Sequence, residues 1–179
     1  KKRQNHCVEE QNMKALVTYY SETGNTEKLA HAIYDGIEQA KKEILPVRDV
    51  TDLDAYDVIF YGFPVQSHSV PAKAREFLKK VPEGKQLALF ATHGSLRGGQ
   101  LAVTAFYDAL TVAKQATIIG TFGCQGKVKQ QIIDALMQKA EHQAWAMEAQ
   151  GAMGHPDTAD LEDGKDFAAA MIKKARASV

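Results

Sequence analysis

Lys14–Thr26, KALVTYYSETGNT, is the stretch on which the fold turns. Its first part, Lys14–Tyr20, is an apolar run of strand type, and Leu29, Ile33, Ile37 and Ala40 then recur at helical spacing. Between strand and helix stands the loop Ser21-Glu22-Thr23-Gly24-Asn25-Thr26. A helix that starts there begins with backbone N–H groups that lack partners. Such an end carries partial positive charge and takes phosphate well. Gly24 permits a turn that aims successive N–H groups inward, while Ser21, Thr23 and Thr26 add hydroxyl donors beside the Asn25 amide. Ordinary helix capping is the plainer reading of such residues, but it needs one hydroxyl and this loop offers three. No lysine follows as in a nucleotide-binding P-loop, and there is no GxGxxG, so neither an NTP nor a dinucleotide is the natural ligand.

Outward from this loop the alternation continues. Strand candidates are Ile44–Val50, Tyr56–Phe63, Gln86–Thr92 and Ala116–Phe122, with Pro46 marking an edge because it cannot donate to a ladder. Pro71 opens a helix carrying Ala74, Phe77, Leu78 and Val81, and Leu101, Ala102, Ala105, Phe106, Ala109 and Leu110 mark the next. A helical stretch runs from about Lys127 to Glu148, Gly151–Asp157 is a turn-rich break, and Ala168, Met171, Ile172 and Ala175 form the stripe of a last helix. Near-continuous apolar strands separated by helices predict an α/β fold, an open doubly wound parallel sheet with helices on both faces. No repeat or composition shift divides residues 13–179, which read as a single domain. In such a sheet ligands sit beyond the carboxyl ends of the strands. The loops to inspect therefore follow the first, third, fourth and fifth strands.

The 179 residues are 45% apolar and 25% charged, a globular composition rather than a disordered one. The 22 basic residues balance 22 acidic ones. That balance removes the electrostatic case for nucleic acid or an anionic membrane as partner. Residues 1–12, KKRQNHCVEEQN, read as an N-terminal extension or an expression remnant ahead of Met13, and carry no secretory pattern. Cys7 and Cys124 form no CxxC pair, so neither a disulfide framework nor a metal site is expected. No apolar run approaches the roughly 20 residues of a membrane span. A cytoplasmic location is the expectation.

The loop SETGNT is similar to the S/T-x-T-G-x-T phosphate loop of flavodoxins, and YGFPVQSHSVPAKAREFL, FATHGS, FGCQGK and GHPDTADLEDGKDFAAAMI resemble later segments of that family in order. The resemblance covers most of residues 13–177. It implies a five-stranded sheet of order 2-1-3-4-5 and FMN as cofactor, its phosphate held by Ser21, Glu22, Thr23, Gly24, Asn25 and Thr26. By the same resemblance Gly62–Ser69 and His93–Gly99 flank the isoalloxazine ring. The first of these loops offers Pro64, Val65, Gln66, Ser67, His68 and Ser69. There His68 either stacks on the ring or faces solvent, and Gln66 and Ser67 either touch the flavin or only form a turn. The second offers His93, Gly94, Ser95, Arg97 and Gly98, with Arg97 either a cation for the reduced flavin or a solvated loop charge. Many flavodoxins sandwich the ring between Trp and Tyr, and neither loop here contains one. The single Trp, Trp145, either folds over the site or is an ordinary core residue. Cys124 reads as a small buried hydrophobe.

The resemblance implies an FMN-dependent electron carrier that serves redox partner proteins, a reductase and an acceptor. No GxSxG, HExxH or kinase signature competes with it. The alternative is a flavodoxin-like NAD(P)H-dependent quinone or small-molecule reductase, with His93 or His68 as proton donor. A flavin-free interaction module is a third reading, against which the intact SETGNT loop stands. The chain lacks large insertions that would build a closed substrate pocket, which favours the carrier. Flavodoxins tend to be strongly acidic, and this chain is not. Its acids gather late, at Glu141, Glu148, Asp157, Asp160, Glu162, Asp163 and Asp166, while Lys127, Lys129 and Arg97 fall near the proposed flavin loops. A charge-segregated surface and a less basic partner are expected.

Overall fold

The computed structural model describes residues 13–178; the extension expected at 1–12 lies outside the described residues, as does the side chain of Leu101. Five parallel strands form one sheet in the order β2-β1-β3-β4-β5. These are β1 (Lys14–Tyr19), β2 (Lys41–Pro46), β3 (Val58–Pro64), β4 (Gln86–His93) and β5 (Thr117–Gln125). The helices are α1 (Asn25–Gly36), α2 (Ala72–Leu78), α3 (Gln100–Val112), α4 (Gln130–Met137), α5 (Gln143–Gly151) and α6 (Thr158–Ala177). The doubly wound parallel sheet is thus as the sequence pattern predicts.

The apolar runs are continuous because both faces of the sheet are buried. Val17, Val58, Phe60, Ala88 and Phe90 pack under Leu29 and Ile33 of α1 and Ala168 and Ile172 of α6. The alternate residues Leu16, Ile59, Tyr61, Phe63, Leu87 and Leu89 pack under Ala74, Phe77 and Leu78 of α2 and Ala109 of α3. Each strand residue therefore faces one helix layer or the other, and period-2 polarity disappears.

Three expectations need correction. β2 ends at Pro46 rather than reaching Val50, and Val47–Asp49 form a single 3-10 turn. Its start, Lys41, Lys42 and Glu43, is polar because β2 is an edge strand, which keeps it open to solvent on one side. The 127–148 stretch is two helices, α4 and α5, separated by a 3-10 turn at Ala140–His142. They fold against each other around Ile133, Ala146 and Ala149, a third apolar cluster apart from the two that hold the sheet. The break between them carries helix-forming residues and no Gly or Pro, so packing rather than propensity ends α4. Finally, β5 continues to Gln125, three residues past Phe122.

Candidate functional site

The carboxyl ends of β1, β3, β4 and β5 bring the four inspected loops together. Gly24 is the N-cap of α1 with φ of 87°, a left-handed conformation that glycine adopts without steric cost. Among the described residues no side chain caps this helix. The loop hydroxyls, although well placed by sequence to do so, are turned to other partners. Ser21 Oγ accepts from the Gly24 N–H at 3.2 Å, and Thr23 Oγ1 accepts from Asn25 Nδ2 at 3.1 Å. Asn25 Nδ2 also donates to the Lys127 carbonyl at 2.9 Å, tying this loop to the segment after β5. Thr26 is 1% exposed, and its hydroxyl meets Thr92 Oγ1 of β4 at 2.9 Å. Ser21, Thr23 and Asn25 therefore stand at the loop surface, whereas Thr26 anchors the helix start from below. The first-turn amides of α1 are left for an anion.

Glu22 accepts from the Tyr20 hydroxyl at 2.5 Å. That bond and a second from the Gln66 side chain hold its carboxyl below the ordinary range, against the smaller opposing effect of burial. The Glu22–Gln66 contact joins the first loop to the third-strand loop. Val65 N–H then donates to the Thr92 carbonyl at 2.9 Å and extends the pairing of β3 with β4 beyond Pro64.

Gln66–Ser69 form a tight turn, with both backbone bonds between its ends made at 2.9 and 3.1 Å. Ser67 and His68 occupy its tip with φ of 47° and 64° and are exposed. Two consecutive left-handed residues are the geometry of a two-residue hairpin turn that usually takes Asn-Gly. Replacing both by glycine is expected to raise stability by about 1 kcal/mol, the relieved Cβ strain exceeding the added chain entropy. Urea midpoints of wild type and the S67G/H68G variant check this, and an unchanged or lower midpoint means the turn is not strained. Ser69 faces inward. Its hydroxyl donates to Asp108 Oδ2 of α3 at 2.5 Å, which also accepts from Val70 N–H at 3.1 Å and Arg75 at 2.5 Å. Asp108 supports this turn although no motif announced it; its only signal is that it is the one charged residue of α3.

The fourth-strand loop is held from several sides. His93 is 5% exposed, and its Nδ1 donates to the Ser95 carbonyl at 2.8 Å. Burial, the largest effect, lowers its pKa, the Ser95 carbonyl opposes it, and Nε2 is buried with no partner among the described residues. His93 thus braces this loop from inside. Ser95 is 3% exposed and its hydroxyl oxygen accepts from Trp145 Nε1 at 3.1 Å. Gly98 turns the chain with φ of 75° before α3.

Arg97 swings across to α6, bonding Asp163 at 2.6 Å and Asp160 at 3.3 Å, with its guanidinium over the Phe122 ring. The expected segregation of charge is thereby reduced, because this base meets the late acids directly. Asp160 also accepts from His155 Nδ1 at 2.5 Å and completes a capping box with Asp157 at the start of α6. His155, Asp157 and Asp160 are close enough together to hold a metal ion, but the two carboxylates cap the start of α6 and His155 is bonded to Asp160. Cys124 is buried and free, its thiol pushed up to about 12 by burial. No helix among the described residues is long and apolar enough to cross a membrane.

Comparison with known proteins agrees with this geometry. The family model of the flavodoxin domain matches residues 16–169. A flavodoxin-like domain-containing protein, BilS of Clostridioides difficile (strain CD3), is 30% identical over 175 residues, covering 91% of this chain and 98% of that protein. Among solved structures, a flavodoxin from the domain Archaea superposes with a TM-score of 0.62 at 19% identity, covering 92% of this chain and 99% of that one. A flavoprotein from Lactobacillus acidophilus solved in complex with FMN has a TM-score of 0.51 at 20% identity, over 63% of this chain and 93% of its own.

Proposed function

The chain belongs to the flavodoxin family, and from that premise we propose that it is an FMN-binding protein that carries electrons between redox proteins. The observation that carries the cofactor assignment is the start of α1. Its cap is a left-handed glycine, no side chain among the described residues occupies the first-turn amides, and the Thr23 hydroxyl, accepting from Asn25, keeps its own hydrogen to donate. A phosphate is the group for which such a cradle is suited. Lys73 and Lys129 stand near enough to act on Glu22 and offset its charge beside the anion.

When bound, FMN supplies the redox chemistry. The chain's own part is to bind and orient. Ser21, Thr23 and the α1 amides hold the phosphate. The Gln66–Ser69 turn and the Gly94–Gly98 loop, braced by Asp108 and His93 respectively, present backbone to the ring edges. Arg97 is committed to Asp160 and Asp163 and so contributes little free positive charge.

The carrier reading is favoured over a nicotinamide-dependent reductase by the fate of the two histidines. His93 is buried and braced, and His68 sits at the exposed tip of a turn. Titration of FMN into the apoprotein, followed by quenching of flavin fluorescence, tests the cofactor assignment; an absence of saturable quenching overturns it. The loaded protein is then mixed anaerobically with NADH or NADPH alone. Persistence of the yellow colour is expected, and rapid bleaching sinks the carrier role.

A further inference from the structure

We propose that Trp145 is a positioning residue for the ring-binding loop, and that residues 127–154 form a strap that fixes Gly94 and Ser95 in the shape that receives the flavin. The inference rests on the FMN reading above and deepens it. Trp145 Nε1 donates to Ser95 Oγ at 3.1 Å, joining α5 to the loop after β4. The neighbouring Gly94 touches the same helix. A Cβ placed there would lie 2.7 Å from Val128 Cγ2, 3.0 Å from Trp145 Cζ2 and 3.6 Å from Ala149 Cβ. Only glycine leaves room for so close an approach.

The gripping surface is a packed face, because Val128, Trp145 and Ala149 share one apolar cluster with Ile133 and Ala146. On its other side the loop is held by His93, whose Nδ1 bonds the Ser95 carbonyl at 2.8 Å. Ser95 is consequently held twice, by backbone and by side chain. The second grip has a chemical result. Indole N–H is a donor only, so the Ser95 oxygen acts as acceptor toward Trp145 and its own O–H hydrogen is directed elsewhere. The strap thus fixes Ser95 as a donor at the edge of the ring loop. Since the strap cluster is separate from the two that hold the sheet, a change at Trp145 is felt in this loop first.

The experiment compares two ligands, FMN and riboflavin, which share the ring and differ in the phosphate. Trp145→Phe keeps most of the packing and deletes the N–H; Ser95→Ala deletes its acceptor. Each is titrated with both flavins, alongside the double variant and wild type. The expected result is that each single variant weakens both flavins by the same factor, about 5- to 10-fold, the net worth of one hydrogen bond. The double variant loses no more than either single one. The reduction potential of bound FMN moves in W145F, while the thermal midpoint of the apoprotein stays near wild type. Unchanged binding of both flavins, a loss confined to FMN, or simple additivity of the two variants overturns the proposal. Wild-type protein that binds neither flavin overturns the FMN reading itself, and this inference with it.

Discussion

Thr23→Ala combined with Thr26→Ala is expected to weaken FMN binding by about a hundredfold while leaving riboflavin affinity within about twofold. The two threonines act differently. Thr23 lies at the surface of the loop, and its hydroxyl accepts from Asn25 while its hydrogen has no acceptor among the described residues. Removing it deletes a donor to a charged phosphate, a bond worth about 1.5–3 kcal/mol. Thr26 is buried on Thr92, so its loss loosens the first turn of α1 from the sheet and misaligns the amides behind the anion. Thr26→Val, which keeps the volume and removes the hydroxyl, separates that anchoring from packing. Equal loss of riboflavin and FMN in a fluorescence titration would place the effect in the ring loops instead, and unchanged FMN affinity would remove the phosphate assignment.

The second large effect is on stability. Asp108→Ala is expected to cost about 2 kcal/mol at neutral pH, because it strands Arg75, the Ser69 hydroxyl and the buried Val70 N–H together. For a chain of this size that corresponds to a fall of about 4–8 °C in Tm. Burial alone would raise the Asp108 pKa, yet the Arg75 guanidinium, Ser69 and the Val70 N–H hold it below the ordinary carboxylate range. A depressed folded pKa contributes stability that is complete above the unfolded value and drains away as pH falls through the folded one. The gap between wild type and variant should therefore begin to narrow below about pH 4 and go on narrowing as the pH falls further. Urea unfolding at pH 7, pH 4 and pH 2 measures it. A gap of the same size at all three means the carboxylate charge is not its source.

Much of the fold was legible in the residues because β3 and β4 are buried on both faces and so apolar without interruption. Where one side is open, the signal fails. The Lys41–Glu43 start of β2 carries no apolar pattern, since an edge strand has no second neighbour to match. The turn between α4 and α5 is equally silent, being a product of the cluster around Ile133 and Ala146 rather than of local chain preference. The site divides in the same way. SETGNT stood out because the proposed phosphate binding calls for particular residues at a particular spacing. The inward turn of Ser69 and Thr26 did not, because a hydroxyl aimed at a neighbouring strand or helix has the same sequence as one aimed at a ligand. Arg97 likewise depends on the distant Asp160 and Asp163, and only the fold decides that pairing.

The bond from Asn25 to the Lys127 carbonyl spans 102 positions of chain. Its consequence lies in the order of assembly. The SETGNT loop precedes β5 in the chain, but the surface that backs it is made only when β5 has been added to the sheet edge and Gly126 has come to lie against Asn25 and Thr92. Contacts so distant in sequence form only after the intervening loop closure has been overcome. A chain that stops short of β5 holds the complete SETGNT signature without its backing, so the shape of the loop depends on β5 being in place.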